Sequence, residues 1–232
     1  MTDRYLRSVL VEGFGAEGQE RLARSTVAVV GCGGLGSASL SYLAAAGVGR
    51  LVIADNDTVS LSNLQRQVLY TTAQIGCEKV LCAADRLRAI NPNVDIVVHN
   101  MSINVDNFAD FASGADIIID CTDNYATRYT LSMKSKESSL PFIYATAEGM
   151  GGQVALFTPR HGLYYHDLYP EPAEQRPVVG VMPPIPGIIG AIEASEAIKY
   201  LSGMGDTLEG RLLVADMKRM SFDIFELGMG RL

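Results

Sequence analysis

The sequence predicts an α/β fold: a doubly wound, mostly parallel sheet covered by helices on both faces and extended by C-terminal antiparallel strands. Three observations carry this. Short β-branched runs alternate with helical segments through the first two thirds of the chain. A glycine-rich turn stands between the first such strand and the helix after it. After Gly149 the alternation stops and strands follow one another with a Pro-rich loop and one long helix between them.

The elements follow in order. "TVAVVG" (Thr26–Gly31) is a buried strand, and "SASLSYLAAAG" is a helix of small residues stopped by Gly47. "RLVIAD" (Arg50–Asp55) is the next strand. "EKVLCAADRLRAINP" (Glu78–Pro92) sets Val80, Leu81, Ala84, Leu87 and Ala89–Ile90 near one helical face and ends at a proline. "DIVVHN", "ADIIID" and "PFIYAT" are further strands with helical segments between them. "GQVALFTP", a helix from about Gly187 to Leu201, "GRLLVAD" and "SFDIFEL" complete the chain. With no internal repeat and no long linker, residues 1–232 read as one domain.

Composition narrows the function classes. The chain is 48% hydrophobic and 19% charged, ample for a packed core, and its net charge of −7 opposes a broadly basic nucleic-acid surface. Cys32, Cys77, Cys82 and Cys121 contain no C-x-x-C pair, which points to a reducing cytosol rather than a disulfide framework. The opening "MTDRYLRSVLVEGFG" has charges where a signal peptide needs its apolar core, so a cytoplasmic protein is expected. The uncharged stretch Pro177–Ile192 falls short of the ~20 residues that cross a bilayer as a helix, and its prolines oppose a span.

"VVGCGGLGS" places Gly31, Gly33 and Gly36 in a G-x-G-x-x-G between strand and helix, so the sheet is Rossmann-like. Glycines permit the tight turn and let backbone N–H groups at a helix N-terminus approach a phosphate. Alone the pattern is weak. Asp55, ending the second strand 19 positions after Gly36, strengthens it, because an acid there accepts hydrogen bonds from ribose hydroxyls.

An NAD site fits equally well up to this point. "DNDTVSLSNLQRQVLY" (Asp55–Tyr70) then supplies Asn63, Gln65, Arg66 and Gln67, and Lys79 opens the following helix. Arg66 and Lys79 suit the greater negative charge of a triphosphate, the bland alternative being solvated surface charges. "DCTDN" (Asp120–Asn124) ends another strand at the same sheet edge, so Asp120 and Asp123 are expected to face the nucleotide and to favour Mg²⁺. Asp123 or Thr122 is also expected to cap the helix beginning near Tyr125.

Together, "RYLR", "GCGGLGS", "GVGRLVIADNDTVSLSNLQRQ", "DCTDN", "RY" and "GIIGAIEASEAIKYL" resemble the ThiF/MoeB/HesA superfamily of ubiquitin-activating-type adenylating enzymes, from about Arg4 to Asp216. "SLSNLQRQ" is the most specific part. The resemblance implies a single ThiF-like ATP-binding adenylation domain, ATP and Mg²⁺ as cofactors, a homodimer, and attack by a carboxylate on the α-phosphate with release of pyrophosphate. It implies that Gly31, Gly33, Gly34 and Gly36 line the phosphate turn and that Asp55 holds the ribose. Asn63, Arg66 and Lys79 then hold the triphosphate, with Asp123 on Mg²⁺; Asp120 and Asn124, in the same turn as Asp123, are further candidates for contact with the nucleotide. Arg7, the second arginine of "RYLR", reaches the triphosphate of the other subunit.

The chain departs from its relatives in two places. The two C-x-x-C pairs that hold a structural zinc in many of them are absent, the matching regions reading "HGLYYHDLYPE" and "FELGMGRL", so no structural zinc is expected. The cysteine that many carry ahead of the last long helix is replaced by Pro177, Val178 and Val179. Any thioester is therefore expected on a separate, thiol-bearing acceptor protein. Two substrates stand equal. One is a small-molecule carboxylate, such as guanylylpyridinol in iron-guanylylpyridinol cofactor synthesis. The other is the C-terminal Gly-Gly of a ubiquitin-like sulfur carrier in thiamin or molybdopterin synthesis. The alternative from another class is an NAD(P)-dependent oxidoreductase, which "SLSNLQRQ" opposes.

Overall fold

A computed structural model describes residues 3–170 and 179–228 of the chain. Its sheet has eight strands in the order β3-β2-β1-β4-β5-β6-β7-β8. The parallel part is β1 (Thr26–Val30), β2 (Arg50–Ala54), β3 (Asp95–His99), β4 (Ile117–Asp120) and β5 (Phe142–Glu148). The strands β6 (Gly151–Phe157), β7 (Arg211–Asp216) and β8 (Ser221–Glu226) continue it antiparallel. The expected sheet and its extension are both present.

The helices are α1 (Leu6–Val9), α2 (Gly15–Arg24), α3 (Gly34–Ala46), α4 (Lys79–Ile90), α5 (Phe108–Phe111), α6 (Tyr125–Glu137), α7 (Tyr165–Leu168) and α8 (Pro184–Ser202). Strand side chains alternate between two cores. Val27, Val29, Leu51, Ile53, Ile117 and Ile119 face one core, which α2, α3, α4 and α8 complete. Ala28, Val30, Val52, Ala54 and Ile118 face the other, closed by Phe108 and Phe111 of α5, Leu131 of α6 and Tyr164–Tyr165. Strands buried on both faces explain the uninterrupted apolar runs in the sequence.

Two helices differ from expectation. On α4 the buried face holds Val80, Cys82, Ala83, Ala84 and Leu87, whereas Leu81 is 49% exposed. The long helix α8 begins at Pro184 rather than near Gly187. Its prolines lie in the first turn, where a missing N–H costs no helical hydrogen bond, so they start the helix instead of delaying it.

Strand order reverses beside β1: the chain runs outward through β2 and β3, then returns to β4 on the other side. The crevice beyond the carboxyl ends of β1 and β4 is the switch point at which open α/β sheets bind ligands. The glycine turn after β1 and the "DCTDN" turn after β4 flank it.

Candidate nucleotide site

At Gly31 the backbone has φ +98°, and a Cβ there would lie 2.6 Å from the Cys121 carbonyl oxygen. At Gly36 a Cβ would lie 2.2 Å from the Gly31 oxygen. Only glycine fits either place, because the two loops and the helix start touch backbone to backbone. Helix α3 begins at Gly34 with Gly33 at its N-cap, so its first amides open into the crevice with the positive end of the helix dipole.

Asp55 fastens this turn to β2. Its Oδ2 accepts from the Cys32 amide at 2.7 Å and its Oδ1 from the Asp57 amide at 2.8 Å. Burial raises its pKa, while the two amides and the Lys79 charge oppose that rise. A carboxylate has about four lone-pair sites, so Asp55 keeps acceptor capacity beyond these two amides. From below, the Tyr70 hydroxyl donates to the Cys32 carbonyl at 2.7 Å.

The polar stretch after β2 folds over the turn. A 3-10 turn, Leu61–Asn63, is closed by a capping box in which Asn63 Oδ1 accepts from the Ser60 amide at 3.1 Å. Asn63 thereby shapes the turn that presents Arg66 and Gln67. A Cβ on Gly34 would be 3.6 Å from Arg66 Cγ, and one on Gly33 would be 3.5 Å from Gln67 Nε2. Gln67 Oε1 is a buried acceptor with no partner among the described residues, an unfilled polar position beside the phosphate turn. The Lys79 ammonium is buried and already paired with Asp57 Oδ2 at 2.8 Å, so contact with a phosphate requires it to share or leave that carboxylate.

Beyond β4 two expectations are corrected. Asp120 does not face the crevice: it is fully buried, with Oδ2 on Arg128 Nε at 2.7 Å and Oδ1 accepting from the amide and hydroxyl of Thr122. Arg128, one helical turn into α6, neutralises it where solvent cannot. The cap of α6 is Asn124, whose side chain accepts from the Thr127 amide at 3.0 Å, rather than Asp123 or Thr122. Asp123 is left exposed with no partner among the described residues.

Helix α8 packs behind the glycine turn. A Cβ on Gly34 would meet Pro186 Cβ at 2.8 Å, and one on Gly190 would meet the Leu35 oxygen at 2.3 Å. Deeper in, Glu193 Oε2 accepts from the Cys121 thiol at 3.5 Å, and Glu193 Oε1 is buried without a partner among the described residues. Burial, then the nearby Asp120, push the Glu193 carboxyl far above its ordinary range. Cys32 and Cys121 are buried fillers, and burial raises both thiols well above the ordinary value.

Of the crossover stretch, Pro177 and Val178 lie outside the described residues. Val179 is exposed, and the segment next runs beside the β5–β6 turn, with Met182 N donating to the Gly149 carbonyl at 2.9 Å. His166 Nδ1 shares a hydrogen bond with Ser132 at 2.8 Å and Asp167 pairs with Lys136. Among the described residues no group of three His, Cys, Asp or Glu is placed to hold a metal ion, and no helix is long and apolar enough to cross a membrane.

Arg7 is exposed on α1. Two residues earlier, Tyr5 sits against Gly47 at the far end of α3 and accepts from Asn91 Nδ2 at 2.8 Å. Tyr5, and with it the start of α1, thus lies on the amino-end side of the sheet, about one length of α3, ~20 Å, from the glycine turn.

Arg128, Gln67, Tyr70 and Glu193 were not singled out as site residues by sequence reasoning. Three had a signal in the sequence: Gln67 in the polar stretch after β2, Arg128 in "RY", and Glu193 as a charge inside the apolar run "GIIGAIEAS".

The ThiF family model matches residues 5–230. Molybdopterin-synthase adenylyltransferase of Escherichia coli (strain K12) is 40% identical over 223 residues, covering 94% of this chain and 90% of that protein. SAMP-activating enzyme E1 of Haloferax volcanii is 38% identical over 226 residues, covering 95% of this chain and 83% of that one. The chain spans 46–58% of the length of several other curated relatives. Among solved structures, E. coli MccB with MccA-N7isoASN superposes with a TM-score of 0.86 at 20% identity, covering 100% of this chain and 74% of that one, a likeness of fold.

Proposed function

The chain belongs to the ThiF family and is an adenylyltransferase, and we propose that it activates the C-terminal carboxylate of a ubiquitin-like sulfur-carrier protein as an acyl-adenylate, using ATP and Mg²⁺. The observation that carries this reading is the meeting of Arg66, the Gln67 amide nitrogen and the Gly33–Gly34 helix start at the β1–β4 switch point, all of them donors. That arrangement suits an extended polyphosphate. The relatives named for molybdopterin synthase and SAMP supply the acceptor class.

In the reaction, a carboxylate oxygen of the acceptor attacks the α-phosphorus, the bond from that phosphorus to the bridging oxygen breaks, and pyrophosphate leaves. The amides of the glycine turn and of the α3 start bind the phosphates, and Asp55 orients the ribose. Arg66 and Lys79 stabilise charge on the departing pyrophosphate, worth most in a crevice that excludes water. No general base is needed, since a terminal carboxylate with a pKa near 3.5 is ionised at neutrality. Asp123, with Asn124 beside it, fits a hard divalent cation, and Mg²⁺ bound there supplies neutralising charge to the phosphates.

Arg7 acts on the triphosphate of a second copy, because its own glycine turn lies at the other end of α3. The working unit is therefore a homodimer. The four free cysteines fit a reducing cytosol. Pro177, Val178 and Val179 in place of a thiol leave this chain at the adenylate, which passes to a separate thiol-bearing protein. The same missing thiol, with the missing zinc cysteines, favours a small-molecule carboxylate as the second reading. The matched relatives are named adenylyltransferases or activating enzymes, so the oxidoreductase alternative falls away.

ATP–pyrophosphate exchange tests the assignment. Exchange that requires a Gly-Gly-ending carrier supports the first acceptor, and exchange with a pyridinol carboxylate alone supports the second. No exchange with either, together with binding of a nicotinamide cofactor, would overturn both.

A further inference from the structure

Two of the four cysteines stand at the start of α4. Glu78 is the N-cap of that helix, so Cys77 is the residue before the cap and Cys82 is the fourth helical residue. Side chains at these two positions pack against each other across a helix start, the arrangement known as the hydrophobic staple. Here both staple positions carry thiols, and burial, then the neighbouring Cys77, raise the pKa of the Cys82 thiol. Their backbones are fixed: Cys82 N donates to the Glu78 carbonyl at 3.2 Å, and Val59 N donates to the Cys77 carbonyl at 2.8 Å. Cys77 is exposed and Cys82 is buried behind it, so an outside reagent meets Cys77 first. Neither thiol has a part in the adenylation chemistry described above.

We propose that Cys77 and Cys82 are a covalent modification site, a thiol pair that a low-molecular-weight disulfide oxidises to an intramolecular disulfide. The Cys77 thiolate attacks one sulfur of the small disulfide, whose S–S bond breaks, and the released thiolate takes up a proton. Cys82 then gives up its proton, and its sulfur attacks the Cys77 sulfur of the mixed disulfide, expelling the second small thiol. Two protein thiols lose two electrons and two protons, and one small disulfide becomes two thiols.

The pair is joined to the nucleotide site by short backbone links. Glu78 bridges to Thr58, and Lys79 N donates to the Asp57 carbonyl at 2.9 Å. Lys79, whose ammonium pairs with Asp57, stands between the two cysteines in sequence. Drawing Cys77 onto α4 shifts this ribbon and moves Lys79 away from the phosphates. This consequence rests on the ATP-site reading; the modification itself does not.

The test uses the full chain, treated with oxidised glutathione and digested with trypsin without reduction. Trypsin cuts after Lys79, between the two cysteines, so a Cys77–Cys82 bond keeps two peptides joined until dithiothreitol is added. The expected result is that joined species, the loss of two free thiols, and an ATP affinity about tenfold weaker that reduction restores. Cys77→Ser and Cys82→Ser form no joined peptide, and Cys77→Ser keeps its ATP affinity under oxidation. A glutathione adduct on Cys77 alone, or a bond involving Cys32 or Cys121 instead, overturns the modification site. Joined peptides with unchanged ATP affinity overturn the coupling to Lys79. If the reduced chain binds no ATP at all, the functional reading fails while the peptide result still decides the pair.

Discussion

Arg128 Nε donates to Asp120 Oδ2 at 2.7 Å at a place where 4% of one side chain and none of the other reaches solvent. The guanidinium also donates to the carbonyls of Thr122 at 2.8 Å and Ala145 at 3.1 Å, and it lies 4.9 Å from the Tyr144 ring centroid. Asp120 fills its other oxygen with Thr122. The pair therefore ties the end of β4 to α6 and β5, and so fixes the turn that carries Asp123.

Removing one partner of such a pair leaves a buried, uncompensated charge. Arg128→Met is expected to destabilise the fold by about 3–5 kcal/mol. Urea unfolding measures this, and replacing Asp120 by Leu in the same chain should restore part of the loss, because no charge then remains to desolvate.

Glu193 gives stability a pH dependence of known sign. Burial, then Asp120, raise its pKa; the Cys121 thiol, which donates to it, and the charge of Arg128 lower it. The folded chain keeps a proton that the unfolded chain releases above about pH 4.3. Stability from the protonated carboxyl is fully present below that pH and is lost as pH rises toward the folded value. Glu193→Gln, which stays neutral, should gain in melting temperature relative to the parent between pH 5 and pH 8. A difference that stays constant across that range would count against the buried neutral carboxyl.

The glycine turn separates two neighbouring substitutions. Gly36→Ala puts a Cβ 2.2 Å from a backbone oxygen that cannot step aside, which is expected to cost about 1–3 kcal/mol and to weaken ATP binding. Gly33→Ala meets only the end of Gln67 at 3.5 Å and should cost less than about 1 kcal/mol. Paired denaturation and ATP titrations distinguish them.

Asp123→Ala should leave stability within about 0.5 kcal/mol, since the side chain is exposed and unpartnered among the described residues. It should nevertheless abolish adenylation, and Arg66→Ala should do the same in a folded chain. Thermal melts beside an adenylation assay check both. Full activity in either variant would overturn its place in the site.

Much of this was legible in the sequence because it depends on local pattern. Strands such as "TVAVV" and "IIID" announce themselves by runs buried on both faces, and the glycine turn by its place between strand and helix. What was misread depends on partners. Asp120 looks like a ligand carboxylate until Arg128, eight residues on, arrives beside it in the fold. Asn124 takes the cap because its side chain, rather than that of Asp123, turns back on Thr127. The prolines of "MPPIPG" suggest a loop continuing to Gly187, yet two of them lie in the first turn of α8. Leu81 fits the apolar period of α4 but falls on its exposed side.

If a carboxylate attacks the α-phosphate in this crevice, the acceptor gains an adenylyl group, which mass spectrometry reads. A Gly-Gly-ending sulfur carrier is incubated with the chain, ATP, Mg²⁺ and pyrophosphatase, and its C-terminal peptide is weighed. One adenylyl group is expected on the terminal carboxylate, and none with Arg66→Ala or Asp123→Ala. An unmodified carrier, with ATP consumed to ADP and phosphate, would contradict it.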